Sequence, residues 1–191
     1  MTALPNSLTA FLDANVLYPS EVRSFLMYLG LKRLYRPLWS DAVHEEWISN
    51  LLENRPDLSR EKLERTRLLM ESHASDALVT GYEHRIPSLK LPDPNDRHVL
   101  AAAIEGGASV IVTMNLRDFP PDVLAPVRIT AMHPDAFARV LLTRSEETVL
   151  EAAEDHRDGM RNPPRTVAEY LAILEGQGLV ETVAILRNAL L

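Results

Sequence analysis

From Thr9 to Thr130 the chain alternates short apolar runs with longer stretches whose apolar positions recur every three or four residues. Thr9 to Asp13 (TAFLD) is a brief apolar run stopped by an acid, which suits a buried parallel strand ending at its carboxyl edge. Pro19 and Ser20 open a helix whose apolar face carries Val22, Phe25, Leu26, Leu29 and Leu34. Arg36 to Ser40 reads as a second strand, with Ser40 capping a helix from Asp41 to about Glu53. Ser59 caps a further, solvent-facing helix, Ala77 to Tyr82 reads as a third strand, and residues 83 to 92 read as a loop. Asp93 then acts as an N-cap with Pro94 at the first helical position, and Gly106-Gly107 stops that helix. Ser109 to Thr113 (SVIVT) is β-branched and uninterrupted, and Val127 to Thr130 is the last strand expected. Strands alternating with helices predict right-handed crossovers, hence an α/β fold with a parallel sheet of four to five strands between helical layers.

From His133 the pattern is helical only. Pro134 starts one helix and Ser145 caps a second; Asn162-Pro163-Pro164 interrupts the chain. Thr166 and Glu169 form a capping box ahead of Tyr170, Leu171 and Leu174, and Leu179, Val183, Leu186 and Leu190 stripe a final helix. The expected organisation is a domain over residues 1–132 and a helical extension over 133–191. The stripes of the extension read as core or partner-binding faces, and a homodimer is one partner carried as an expectation.

Three acids are predicted to meet at one edge of this sheet. Asp13 ends the first strand, at the edge where open parallel sheets bind ligands. Asp96 precedes Val99, Leu100 and Ala103 by three, four and seven residues and so opens the sheet-facing stripe of its helix. Thr113, Asn115 and Asp118 follow the SVIVT strand within six residues. Each has an ordinary structural reading as a cap or turn former; together they are far more specific than singly. Asn15 reads as a loop-shaping amide, and Asp93 as the helix cap itself. Carboxylates about 5 Å apart repel by about 3 kcal/mol per pair at an effective dielectric near 20, so such a cluster shares protons or holds cations. Carboxylates and amides without cysteine suit hard Mg²⁺ or Mn²⁺, ions that serve phosphoryl chemistry.

Composition narrows the field. The chain of 191 residues contains no cysteine, which removes disulfides, thiolate zinc sites and a cysteine nucleophile and fits a reducing, cytoplasmic setting. The N-terminal stretch has no signal-peptide pattern, and no apolar run reaches membrane-spanning length, so no membrane partner is expected. A net charge of −7 argues against generic nucleic-acid binding driven by charge. The charge is uneven, however: residues 1–40 carry four basic and two acidic residues, residues 133–191 six basic and ten acidic ones. No Gly-rich phosphate loop, zincin helix or G-x-S-x-G elbow is present, and the histidines read as surface or core residues.

The motifs FLDANVL, SDAVHEEW, DPNDRHVLAAA and IVTMNLRDFP, in that order, resemble the PIN-domain ribonucleases, including the VapC-type toxins of toxin–antitoxin pairs. The resemblance covers roughly residues 8 to 130. It implies an α/β/α sandwich whose acidic site binds Mg²⁺ or Mn²⁺ and cuts RNA, leaving 5′-phosphate and 3′-hydroxyl ends. Residue by residue, Asp13 matches the first acid and Asn15 its polar neighbour; Asp96 matches the third acid and Asp118 the fourth, with Thr113 and Asn115 before it. The family spacing from serine to glutamate selects Glu46 as the second acid; a helical wheel leaves Glu45 open, because both flank the stripe of Val43, Trp47 and Leu51. The segment from 133, with HPDAF and RNPPRT, resembles the C-terminal extension of one PIN subgroup. A toxin of this kind implies a small antitoxin partner. Arg97, Arg117 and the group Arg23, Lys32, Arg33 and Arg36 are candidates for phosphate contact, with solvated surface as the plainer reading of each.

Two other classes compete. A non-catalytic module would use the PIN scaffold to bind a partner, although mutually repelling acids are then unexplained. A receiver-like or phosphatase domain also gathers acids at a sheet edge. The receiver needs adjacent acids at the first strand and a late lysine; the phosphatase needs a second acid two residues after the first. Here that position is Asn15, and no lysine follows Lys90.

Overall fold

The computed structural model describes residues 8–191, so the first seven residues of the expected N-terminal domain and of the stretch tested for a leader lie outside it. Strand β1 (Thr9–Leu12) runs into a single helical turn, α1 (Ala14–Leu17), and then α2 (Ser20–Leu31). Strand β2 (Arg36–Leu38) leads to α3 (Asp41–Asn54), where Ser40 Oγ accepts from the Val43 amide, and to α4 (Arg60–His73), where Ser59 Oγ accepts from Lys62. Helix α5 (Arg97–Glu105) then feeds β3 (Val110–Val112), and the one-turn α6 (Pro121–Leu124) precedes β4 (Thr130–Met132).

The strands form one parallel sheet in the order β2-β1-β3-β4. Every residue from Ala10 to Leu12 and from Val110 to Val112 is fully buried. Because successive strand side chains point to opposite faces, both faces of the central strands are covered, as a parallel sheet requires. The expected α/β fold is the one observed, and its four strands fall within the four to five expected.

Several local expectations change. Ala77 to Tyr82 is not a strand: only a parallel bridge between Trp39 and Leu78 forms, since Ala77 and Val79 turn inward but the segment has no continuing partner. The last strand sits at Thr130–Met132 rather than Val127–Thr130, because Ala125–Val127 is a 3-10 turn and Arg128 has φ 58°. Residues 83–92, expected as loop, contain a 3-10 turn over Glu83–Ser88. Asp93 accepts from the Asn95 amide and caps a 3-10 turn over Pro94–Asp96, so the α-helix proper begins at Arg97. Leu34 lies beyond the end of α2. Helix α5 packs against β1, β3 and the 3-10 turn over Glu83–Ser88, which leaves Ala101, Ala102 and Ala103 all fully buried. A Cβ at Gly106 would stand 2.6 Å from Leu38 Cδ1 and 2.8 Å from Val79 Cγ2, so this helix end comes too near β2 for a side chain.

Beyond β4 come α7 (Pro134–Arg144), α8 (Glu146–Gly159), α9 (Val167–Gly176) and α10 (Val180–Leu190). Helix α8 lies along α2, and α10 packs on α7 and α9. Tyr170, Leu171, Leu174, Leu179, Val183 and Leu186 are fully buried in the same continuous core as Phe25 and Leu29 of α2. Those stripes are core. The Thr166–Glu169 capping box is present with both reciprocal bonds, whereas Ser145 Oγ pairs with Thr148 Oγ1 instead of capping a backbone amide.

Candidate functional site

The parallel register places the first elements of the site. Leu12 pairs with Val112, so the next residues, Asp13 and Thr113, leave the sheet side by side. The Asp13 amide donates to the Val112 carbonyl at 3.1 Å. Its carboxylate, only 5% exposed, accepts from the Ala14 amide on Oδ1 and from Thr113 Oγ1 and Asn15 Nδ2 on Oδ2, each at 2.7 Å. The Ala14 bond caps α1, which explains why a helical turn begins one residue past the strand. Asn15 Oδ1 accepts from the Met114 amide at 2.9 Å and Thr113 Oγ1 accepts from the Asn115 amide at 3.0 Å. The loops after β1 and β3 are thereby stitched into one unit.

The other acids arrive on helices and turns that start at this edge. Helix α5 leads back along the sheet into β3, so its N-terminal end and Asp96 sit beside the carboxyl ends of the strands. Asp118 follows β3 in a 3-10 turn and accepts a bond from Asn115 Nδ2. Glu46 lies in the second turn of α3 beside the fully buried Trp47, and its Oε2 is 3.5 Å from His98 Nε2. Glu45 faces elsewhere: Arg60 grips it from α4 at 2.8 and 3.0 Å, and Ser49 donates to it at 2.8 Å. Of the two candidates left open by the wheel, Glu46 is the one electrostatically joined to Asp13 and Asp96.

Electrostatics bind these groups together. The Asp96 carboxyl is pushed up to about 7, first by partial burial and then by the carboxylates of Asp13, Asp118, Asp93 and Glu46. Asp13 is also raised, by burial above all; the Thr113 bond pulls the other way, Glu46 adds repulsion, and the Ala14 amide and His98 relieve part of it. Repulsion is therefore felt at Asp96 and, from Glu46, at Asp13. Even so, among the described residues no three His, Asp or Glu side chains stand close enough to hold an ion together. Each acid instead has its own partner: Thr113 and Asn15 on Asp13, His98 near Glu46, Asn115 on Asp118. The donor set is all oxygen and mutually repelling. It fits a hard cation that keeps several of its own waters, as Mg²⁺ does, better than a closed cage of protein ligands.

His98 was not expected here. Its Nδ1 is buried with no partner among the described residues while Nε2 faces Glu46, so this histidine belongs to the acidic edge rather than to surface or core. Its place in the first turn of the helix that Asp96 opens is a signal in the chain; its partner on α3 is not. The basic candidates separate. Lys32 pairs with Glu151 and Asp155, Arg36 with Asp76, and Arg97 Nε donates to the Pro94 carbonyl, whereas Arg117 is exposed and Arg23 is buried against Trp47.

A family model described as "PIN domain" matches residues 9–117, more than half of the chain. The chain belongs to the PIN-domain family. A second family model, the VapC50 C-terminal domain, matches residues 134–188, the four helices of the extension. This PIN protein is 44% identical over 101 residues to a Mycobacterium tuberculosis protein named "Putative ribonuclease VapC50". The aligned stretch covers 53% of the chain and 59% of that relative, so the chain spans about three fifths of the length of the relative it matches. No solved structure matches. No helix among the described residues is long and apolar enough to cross a membrane.

Proposed function

We propose that this PIN-domain chain is a metal-dependent endoribonuclease in which Asp13, Glu46, Asp96 and Asp118 hold one or two Mg²⁺ or Mn²⁺ ions. The observation that carries the reading is Asp96, a half-buried carboxyl raised to about 7 by burial first and then by the four carboxylates around it. A binding scaffold gains nothing from such repulsion, whereas a cation at that point relieves it. The bound ion supplies charge neutralisation on the phosphate and a lowered pKa for water. The chain's own work is to keep donors aligned. Thr113, Asn15 and the Ala14 amide hold the Asp13 carboxylate in one orientation; Asn115 does so for Asp118, and His98 offers a counter-charge or hydrogen bond to Glu46. In-line attack on an RNA phosphodiester with departure of the 3′ oxygen gives 5′-phosphate and 3′-hydroxyl ends. The match of the extension to the VapC50 C-terminal domain model, beside the PIN-domain match of residues 9–117, supports a toxin with a small antitoxin as its partner.

One observation favours the second reading, a non-catalytic PIN scaffold that binds a protein: no three candidate ligands close on a single point. RNA cleavage by wild type, Asp13→Ala and Asp96→Asn with Mg²⁺, with Mn²⁺ and with chelator separates the two. The nuclease reading expects metal-dependent cleavage by wild type alone. Absence of wild-type cleavage with Mn²⁺, together with no thermal stabilisation by it, assigns the chain to the scaffold class.

A further inference from the structure

A pocket of about 510 Å³ opens between the start of α2, the end of α3, the first turns of α4 and Gln177 after α9. Its walls gather cations in an acidic protein. Arg23 is only 8% exposed, and its guanidinium lies 4.8 Å from the centre of the Trp47 ring. One of its nitrogens, Nη1, donates to the Leu17 carbonyl. A guanidinium has five N–H groups, and the remaining four of Arg23 have no protein acceptor among the described residues. No carboxylate pairs with it there; Glu21, on the same wall, acts only at longer range. Burial brings its pKa down to about 10, the mark of a cation held without a counter-ion. Lys62, exposed on the opposite wall, forms no ion pair within 4.0 Å among the described residues, although Asp57 acts on it at longer range. Arg55 also lines the pocket, but Asp57 neutralises it at 2.7 Å.

A buried, unpaired charge is costly to keep, and a ligand of opposite sign removes the cost. The position of the pocket says which anion. Its wall at Tyr18 and Pro19 follows directly on α1, the single turn that starts at the Asp13 cap, roughly 6 Å of helix rise away. A chain whose reacting phosphate sits among the acids therefore runs its neighbouring nucleotides past Arg23 and Lys62. The pocket's size suits a nucleotide-sized group better than the face of a protein helix. The walls also offer an aromatic ring at Tyr18, a hydroxyl at Thr66 and an amide at Gln177, which serve a base and sugar as the cations serve a phosphate. Gln177 belongs to the helical extension, so that extension completes the pocket.

We infer that this pocket is a phosphate-binding subsite for a nucleotide flanking the bond to be cut, with Arg23 and Lys62 as its anion ligands. The inference rests on the ribonuclease reading and adds an RNA-positioning role for residues outside the acidic centre. The test uses Asp96→Asn protein, which binds without cutting, and a fluorescein-labelled RNA octamer followed by anisotropy across a salt series. Adding Lys62→Glu weakens binding by about tenfold and lowers the salt slope by about 0.7, one phosphate contact on a single strand. Arg23→Gln does the same, with thermal melts to verify folding; should it fail to fold, Lys62→Glu alone decides, since its side chain is exposed. Unchanged affinity and slope in Lys62→Glu overturn the subsite while leaving the nuclease reading intact wherever wild type cleaves. Wild type that neither binds nor cuts RNA overturns both. An oligoglutamate peptide that binds wild type but not Lys62→Glu, with RNA affinity unmoved, assigns the pocket to an acidic protein segment and overturns the RNA assignment.

Discussion

The acidic edge of the sheet and the helical extension handle buried polar groups in opposite ways. In the extension each is answered. His156, buried beside Tyr28 and Phe25, pairs through Nδ1 with the Tyr170 hydroxyl at 3.2 Å. Asp135 at the start of α7 accepts from the amides of Glu181 and Thr182 at 3.0 and 2.8 Å and so caps the first turn of α10. At the sheet edge, hydrogen bonds fix where the carboxylates point but leave their charges opposed, with His98 as the nearby partner for Glu46. Local satisfaction is the rule in the extension, whereas the buried nitrogens without a partner among the described residues, on Trp39, His44 and His98, all lie before it.

This contrast can be broken in order of effect. Asp13→Ala, Asp96→Asn and Glu46→Gln each lower RNA cleavage by ~10²–10⁴-fold, the scale of losing a group that acts in the transition state, while Glu45→Gln stays within a few-fold of wild type. Initial rates with Mn²⁺ check this, and equal loss in both glutamate variants would remove Glu46 from the site. Addition of Mn²⁺ at 100 times its dissociation constant stabilises wild type by about 2.7 kcal/mol, and far less in Asp96→Asn, as read by denaturant melts.

His156 tests the other region. Its folded pKa is depressed to about 4 by burial, so stability is complete above its ordinary value near 6.5 and is lost as pH falls towards 4. Between pH 7 and pH 5 this group costs about 2 kcal/mol, and His156→Gln removes that part of the acid sensitivity in urea melts at the two pH values. The Asp96 dependence has the opposite sign. Its folded pKa is raised, so the metal-free fold loses stability as pH rises from 3.8 through about 7. Without metal, Asp96→Asn is therefore more stable than wild type at pH 8 by about 1–2 kcal/mol after discounting for solvent screening, and the advantage vanishes below pH ~4. Asp135→Ala is the mildest, costing about 1 kcal/mol through the lost cap and leaving cleavage as it was.

What the sequence disclosed follows from the range over which each feature is determined. The β3 run and the stripe of α5 are set by residues within a few positions, and with them the edge positions of Asp13, Asp96 and Asp118. Helix α1 escaped because four residues carry no periodicity; it exists through the Asp13 cap. Ala77 to Tyr82 has strand composition, yet no neighbouring chain continues the pairing beyond Leu78. Arg60 on another helix binds Glu45, and His98 lies beside Glu46, a residue 52 positions earlier, facts that no local window contains.

The Asp13 bonds also limit what the centre can admit. A carboxylate offers about four lone-pair directions, and Ala14, Asn15 and Thr113 already occupy three of them. Oδ2 is filled, and Oδ1 has a single direction left. In the proposed metal site Asp13 would therefore offer a single oxygen direction and not the bidentate grip that many calcium sites include. On the proposed metal-site reading, ion selectivity would begin with the vacancies that a threonine and an asparagine leave on one aspartate.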